Sequence, residues 1–162
     1  MSLTTRQPTA NESPDTGQGG GAIAVNTPAN TGHAATTVAV GTPVATCRWF
    51  GLQAVSGIKT AVRLKANWTR DGSVPGGTSN SFTMEYSLNG GGSWATAFQF
   101  LNVSAPASGS LDIALTPAPQ DITQIQVRDN LTEIGITANL TGSISDIRLE
   151  VTTQDFMPIV MW

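Results

Sequence analysis

From Cys47 onward, hydrophobic and polar residues alternate along the chain with a period of two. Ile58, Thr60, Val62, Leu64, Ala66 and Trp68 fall on one parity, and Lys59, Arg63, Lys65 and Asn67 on the other. That alternation belongs to a strand with one buried face and antiparallel neighbours. The same rule recurs in Phe82, Met84, Tyr86 and Leu88, and in Trp94, Thr96, Phe98 and Phe100. Further strands are predicted at Leu111–Leu115, around Ile125 and Val127, over Ile134–Leu140 and over Ile147–Val151, with one more near Trp49. Turn signals separate them: Asp71-Gly72, Pro75-Gly76-Gly77, Asn89-Gly90, Pro117-Ala118-Pro119 and Thr141-Gly142. No helical period of 3.6 residues competes. About eight short strands at this spacing predict an all-β fold, an antiparallel β-sandwich or jelly-roll-like domain over residues 46–153. Parity turns Trp68 and Tyr86 inward and leaves Trp49 and Trp94 open.

Residues 1–45 follow different rules. Their ionisable side chains are Arg6, Glu12, Asp15 and His33, and they contain no aromatic residue. Gly17-Gln18-Gly19-Gly20-Gly21 and Pro8, Pro14, Pro28 and Pro43 oppose both helix and continuous sheet. Such a stretch buries too little apolar surface to offset about 1–2 kcal/mol of backbone entropy per residue. The expectation is an extended N-terminal arm. Its β-prone pieces, marked by Ile23 and Val25 and by Val38 and Val40, are candidate partner-binding residues that order on a neighbour's strand edge. Residues 154–162 form an apolar C-terminal tail. Phe156, Ile159 and Trp162 are candidates for insertion into a neighbouring subunit, and Pro158 argues against a central strand.

Composition narrows the chemistry. Charged residues make up 12% of the 162, Lys occurs only at Lys59 and Lys65, and the net charge is −3. That balance offers no general attraction to nucleic acid. Lys59, Arg63 and Lys65 make one small basic stripe, read as a solvated strand face. A single cysteine, Cys47, allows no intrachain disulfide. No apolar run approaches the roughly 18 residues of a membrane span, and the N-terminal residues carry no export signal, so no membrane contact is expected. Nucleophilic catalysis needs a base beside the nucleophile, and the one histidine, His33, stands in the expected arm, where nothing rigid orients it, which leaves Cys47 without a histidine partner in the folded part. One Cys and one His do not supply a zinc site. The expectation is a protein without catalytic residues, metal or cofactor.

Two resemblances add to this. Ser87-Leu88-Asn89-Gly90-Gly91-Gly92-Ser93-Trp94 resembles the Asp-box of sialidases, S-x-D-x-G-x-x-W, with Asn89 in place of Asp. The resemblance implies a hairpin whose Trp packs beneath the turn, not a catalytic site. In its plan (a Ser/Thr/Gly-rich arm, a small Asn/Thr-rich sandwich, no catalytic groups and no export signal) the chain resembles virion accessory proteins of tailed bacteriophages, of the head decoration or cement type. That resemblance implies a viral structural protein, assembled in the host cytoplasm into the virion. The implied partners are the major capsid protein or other virion subunits, with a homo-oligomer, a trimer, as the form. A neck, tail-fibre or baseplate component is one alternative. A carbohydrate-binding module is another, and it requires exposed aromatic rings to stack on sugars.

Overall fold

The computed structural model describes residues 1–12, 35–38, 45–71, 79–101, 106–134 and 140–154. Ten strands make up most of the described residues: β1 (Ser2–Arg6), β2 (Ala10–Glu12), β3 (Ala35–Val38), β4 (Ala45–Phe50), β5 (Ile58–Asp71), β6 (Ser79–Ser87), β7 (Ala95–Leu101), β8 (Ala107–Ala114), β9 (Gln126–Ile134) and β10 (Leu140–Gln154). A 3-10 turn, Ile122–Gln124, precedes β9. They form two five-stranded sheets. The first has the order β1-β10-β5-β8, with β3 also on β10, and the second the order β2-β4-β9-β6-β7. Every pairing is antiparallel. The fold is an antiparallel β-sandwich.

Inward parities of both sheets fill the space between them. Val62, Leu64 and Ala66 of β5 and Ile144, Ile147, Leu149 and Val151 of β10 meet Phe82 and Met84 of β6 and Val127 of β9, all essentially sealed from water. Each fully buried side chain of this size contributes about 1.5–3 kcal/mol. Trp49, left open by parity, is buried in this core. Trp68 lies at its margin with Phe98 and Phe100, at ring-centroid distances of 5.7 and 4.5 Å. Its indole lies over the neighbouring strand at Gly109, where a Cβ would stand 2.7 Å from the ring. Only glycine admits that approach.

Two expected strands are differently bounded. Ile134 closes β9 and Leu140 opens β10, so they belong to different strands, and residues 135–139 lie outside the described residues. The strand expected at Ile147–Val151 is the latter part of the 15-residue β10. An irregularity between Ser145 and Arg148 masks its continuity, with Asp146 at φ 50°. Asp is one of the few side chains that adopts this conformation readily. The described parts of the expected arm lie in the sheets. Ser2–Arg6 pairs with Leu149–Thr153, Ala35–Val38 follows it along the same edge of β10 against Leu140–Ser143, and Ala10–Glu12 pairs with Arg48–Phe50. These are edge strands, held by backbone hydrogen bonds that require no apolar pattern.

Candidate functional site

The two outer faces of the sandwich differ. On the first sheet, charged side chains are tied to one another across strands. Arg63 Nε donates to Asp112 Oδ1 at 2.7 Å, and Lys65 Nζ lies 2.9 Å from Glu150 Oε2 and 3.6 Å from Asp112 Oδ2. Arg148 pairs with Asp146 and Glu150. The hydrogen bond from Arg63 holds the Asp112 carboxyl below its ordinary pKa, and the same bond raises that of the guanidinium. Arg63 and Lys65 of the expected basic stripe are therefore paired with acidic neighbours, as on a solvated face. Among the described residues, no aromatic ring lies on this face.

The outer face of the second sheet is built from rows that cross its strands. The central row is set by pairing register: Glu12 stands opposite Arg48, Arg48 opposite Arg128, Arg128 opposite Glu85, and Glu85 opposite Thr96. Glu85 Oε2 accepts from Arg128 Nε and from Asn130 Nδ2, each at 2.6 Å. One row to one side, Asn130 faces Thr83 and Thr83 faces Gln99, with Gln99 Nε2 donating to Thr83 Oγ1 at 3.4 Å. To the other side, Gln126 faces Ser87. Two aromatic rings interrupt these polar rows, each carrying a guanidinium: Arg48 Cζ lies 5.4 Å from the Phe50 centroid, and Arg128 Cζ 4.1 Å from that of Trp94. Contacts of this kind contribute about 0.5–1 kcal/mol at exposed sites and more when desolvated.

The hairpin between β6 and β7 places Trp94. Ser87 Oγ, nearly inaccessible to solvent, donates to Asn89 Oδ1 at 2.9 Å and accepts from the Asn89 and Gly91 amides at 3.3 and 2.9 Å. Asn89 Oδ1 also accepts from the Ser93 amide at 2.9 Å, while its Nδ2 donates to Ser93 Oγ at 3.0 Å. Gly90 and Gly91 adopt φ of 68° and 93°, the left-handed region that glycine enters at little cost. The turn expected from the Asp-box-like run is thus present, with Asn89 as its central acceptor. A Cβ on Gly91 would stand 3.1 Å from Gln126 Oε1 and 3.6 Å from both Arg48 Nη1 and Trp94 Cζ2. The turn therefore brings together side chains of β4, β9 and the hairpin. Gln126 Oε1, buried beneath it, accepts no hydrogen bond among the described residues. Beside the turn lies an open pocket of about 220 Å³, walled by Tyr86, Leu88, Asn89, Ser93 and Trp94.

A larger cleft of about 860 Å³ opens elsewhere, between β1 and the segment before β5, with Thr4, Arg6, Val55 and Thr153 in its walls. Among the described residues, no aromatic ring lines it. It has volume without a recognisable recognition element, whereas the second sheet's outer face has both rings and planar polar groups.

Of the residues expected to bind partners, Val38 ends β3 opposite Leu140, while Ile23, Val25, Val40, Phe156, Ile159 and Trp162 lie outside the described residues, as does His33. Cys47 sits in β4 opposite Asp129. Among the described residues no group of three or more His, Cys, Asp or Glu is placed to hold a metal, and no helix is long and apolar enough to cross a membrane. The sequence reading singled out Lys59, Arg63 and Lys65 and passed over Arg48 and Arg128. Their local signal is a charge next to the core residues Trp49 and Val127, and what distinguishes them is strand pairing.

No family model and no curated protein sequence matches the chain. Solved structures of similar architecture exist. A structure described as "CBM4 structure and function" aligns at 13% identity and TM-score 0.44, covering 91% of this chain and 94% of that one. A family 16 carbohydrate-binding module aligns at 11% and 0.39, covering 72% and 75%. The CBM22-1–GH10 portion of xylanase 10B from Clostridium thermocellum, complexed with xylohexaose, aligns at 11% and 0.44, covering 94% of this chain and 29% of that one. At such values the likeness carries no functional argument.

Proposed function

We propose that the protein is a non-catalytic glycan-binding β-sandwich that takes a polysaccharide on the outer face of its second sheet. One observation carries the reading: of the two outer faces, this one alone among the described residues holds aromatic rings, Phe50 and Trp94, set into rows of planar hydrogen-bonding side chains. A pyranose ring has an apolar face of C–H groups and a rim of hydroxyls. An aromatic ring receives the first, and carboxylate, amide and guanidinium groups exchange hydrogen bonds with the second. Glu85, Arg128 and Asn130 already form such a group, fixed by two short bonds to one carboxylate. A strand scaffold holds them more rigidly than a loop does, which lowers the ordering cost of binding. The reading rests on these side chains and not on likeness of fold.

An immobilised-glycan survey followed by titration calorimetry tests it. Wild-type protein is expected to bind at least one polysaccharide class, and Trp94→Ala to bind it at least about tenfold more weakly, or about 1.4 kcal/mol, with its melting temperature nearly unchanged. A survey with no binding above background, or a Trp94→Ala variant that binds as wild type does, contradicts the reading.

A further inference from the structure

We infer that the polysaccharide is acidic, and that one carboxylate or sulfate on its sugar rings seats between Arg48 and Arg128. This rests on the glycan-binding reading above and adds the ligand's charge to it. The chain has eight Lys and Arg in 162 residues, and two of them stand directly opposite each other on adjacent central strands, β4 and β9. Like charges so placed destabilise a sheet. Violations of this kind concentrate where function requires them. Glu85 reduces the cost by binding Arg128 Nε at 2.6 Å, and Glu12 occupies the register position opposite Arg48. The Phe50 and Trp94 rings hold the two guanidiniums from the same face. The order across the sheet is therefore acid, base, base, acid, with the positive doublet in the middle.

Guanidinium is the side chain best matched to a planar oxyanion, because it offers paired N–H donors in a fixed fork. An anion between two of them relieves their mutual repulsion as it binds, a gain that a neutral sugar does not supply. The overall charge of −3 repels an acidic polymer at long range. Selectivity for the anion thus comes from the doublet at contact and not from steering.

Three polymer pairs test this with the intact protein. Polygalacturonate is compared with its fully methyl-esterified form, which keeps the backbone and removes the carboxylate charge. Dextran sulfate is compared with dextran, and an unsubstituted β-1,4-galactan with the same chain carrying carboxymethyl groups. The expected result is at least about tenfold tighter binding to the charged member of one pair, weakening as salt is raised. Arg48→Gln and Arg128→Gln should each reduce that preference while Trp94→Ala reduces binding to both members. Preference in the polygalacturonate pair assigns a carboxylate, and preference in the dextran pair assigns a sulfate. Equal binding to charged and neutral members, still lost in Trp94→Ala, overturns the inference and leaves the glycan-binding reading standing. Absence of binding to every polymer in the survey and in these pairs overturns both. The wild-type comparison decides the matter even if an arginine variant fails to fold.

Discussion

The hydroxyl of Ser87 illustrates how much one atom organises at this site. It receives two backbone N–H groups and donates to Asn89, and the hydroxyl itself is closed from solvent while the turn around it is partly exposed. Replacement by Ala leaves the part-buried Asn89 and Gly91 amides without this acceptor, at a cost of about 0.5–1.5 kcal/mol per hydrogen bond lost. We expect Ser87→Ala to lower the calorimetric melting temperature by several degrees and to weaken glycan binding through displacement of Trp94. An unchanged melting temperature would count against the turn as drawn. Gly91→Ala should act similarly, because φ of 93° is strained for any L side chain and the added methyl meets Gln126. Asp112 provides a pH test. Its pKa is lowered in the folded state, chiefly by the hydrogen bond from Arg63, so its contribution to stability is present above the ordinary carboxylate range and is lost as pH falls through the lowered folded value. Comparison of wild type with Asp112→Asn by denaturant titration should give a stability difference at neutral pH that shrinks below about pH 4. The hairpin was legible in the sequence because its chemistry lies within eight consecutive residues. The Arg48–Arg128 pair was not, because 80 positions separate its members and only the pairing of β4 with β9 joins them.

At the scale of elements, the long strands with apolar alternation were readable and the edge strands were not. Val62, Leu64 and Ala66 announce β5 by parity, whereas Ser2–Arg6 contributes to β10 through its backbone and turns Leu3 outward, 66% exposed. A strand whose side chains add little to the core leaves no hydrophobic period to read. β10 was concealed differently, by Gly142 and Ser143 near its start and by the irregularity at Asp146. The pairing of β1 yields a prediction opposite to the one that a dispensable arm would give. Removal of residues 1–8 strips the strand from Leu149–Thr153 and exposes an unpaired edge of a central element, a recognised route to aggregation. The truncated protein should melt at lower temperature and associate at high concentration in analytical ultracentrifugation. A monomer of unchanged stability would show that β1 is not an integral strand. The Trp68–Gly109 contact gives a second test at this scale: Gly109→Val forces the indole away from β8 and should destabilise the domain severely.

For the whole molecule, the sandwich has one cysteine and therefore no internal disulfide, so its stability rests on the two apposed apolar faces. The outer faces then become free to differ, and they do. One is a lattice of cross-strand ion pairs that satisfies itself, and the other carries two rings among planar polar groups. The central claim is that the second of these faces receives a polysaccharide. Amide chemical-shift mapping during titration with the glycan identified by survey tests it most directly. The account predicts that perturbations concentrate on β4, β6, β9 and the turn from Leu88 to Trp94, with the indole N–H of Trp94 among the largest, while β5, β8 and β10 remain still. Perturbations centred instead on the outer face of β10, β5 and β8, or on the cleft beside β1, would contradict it.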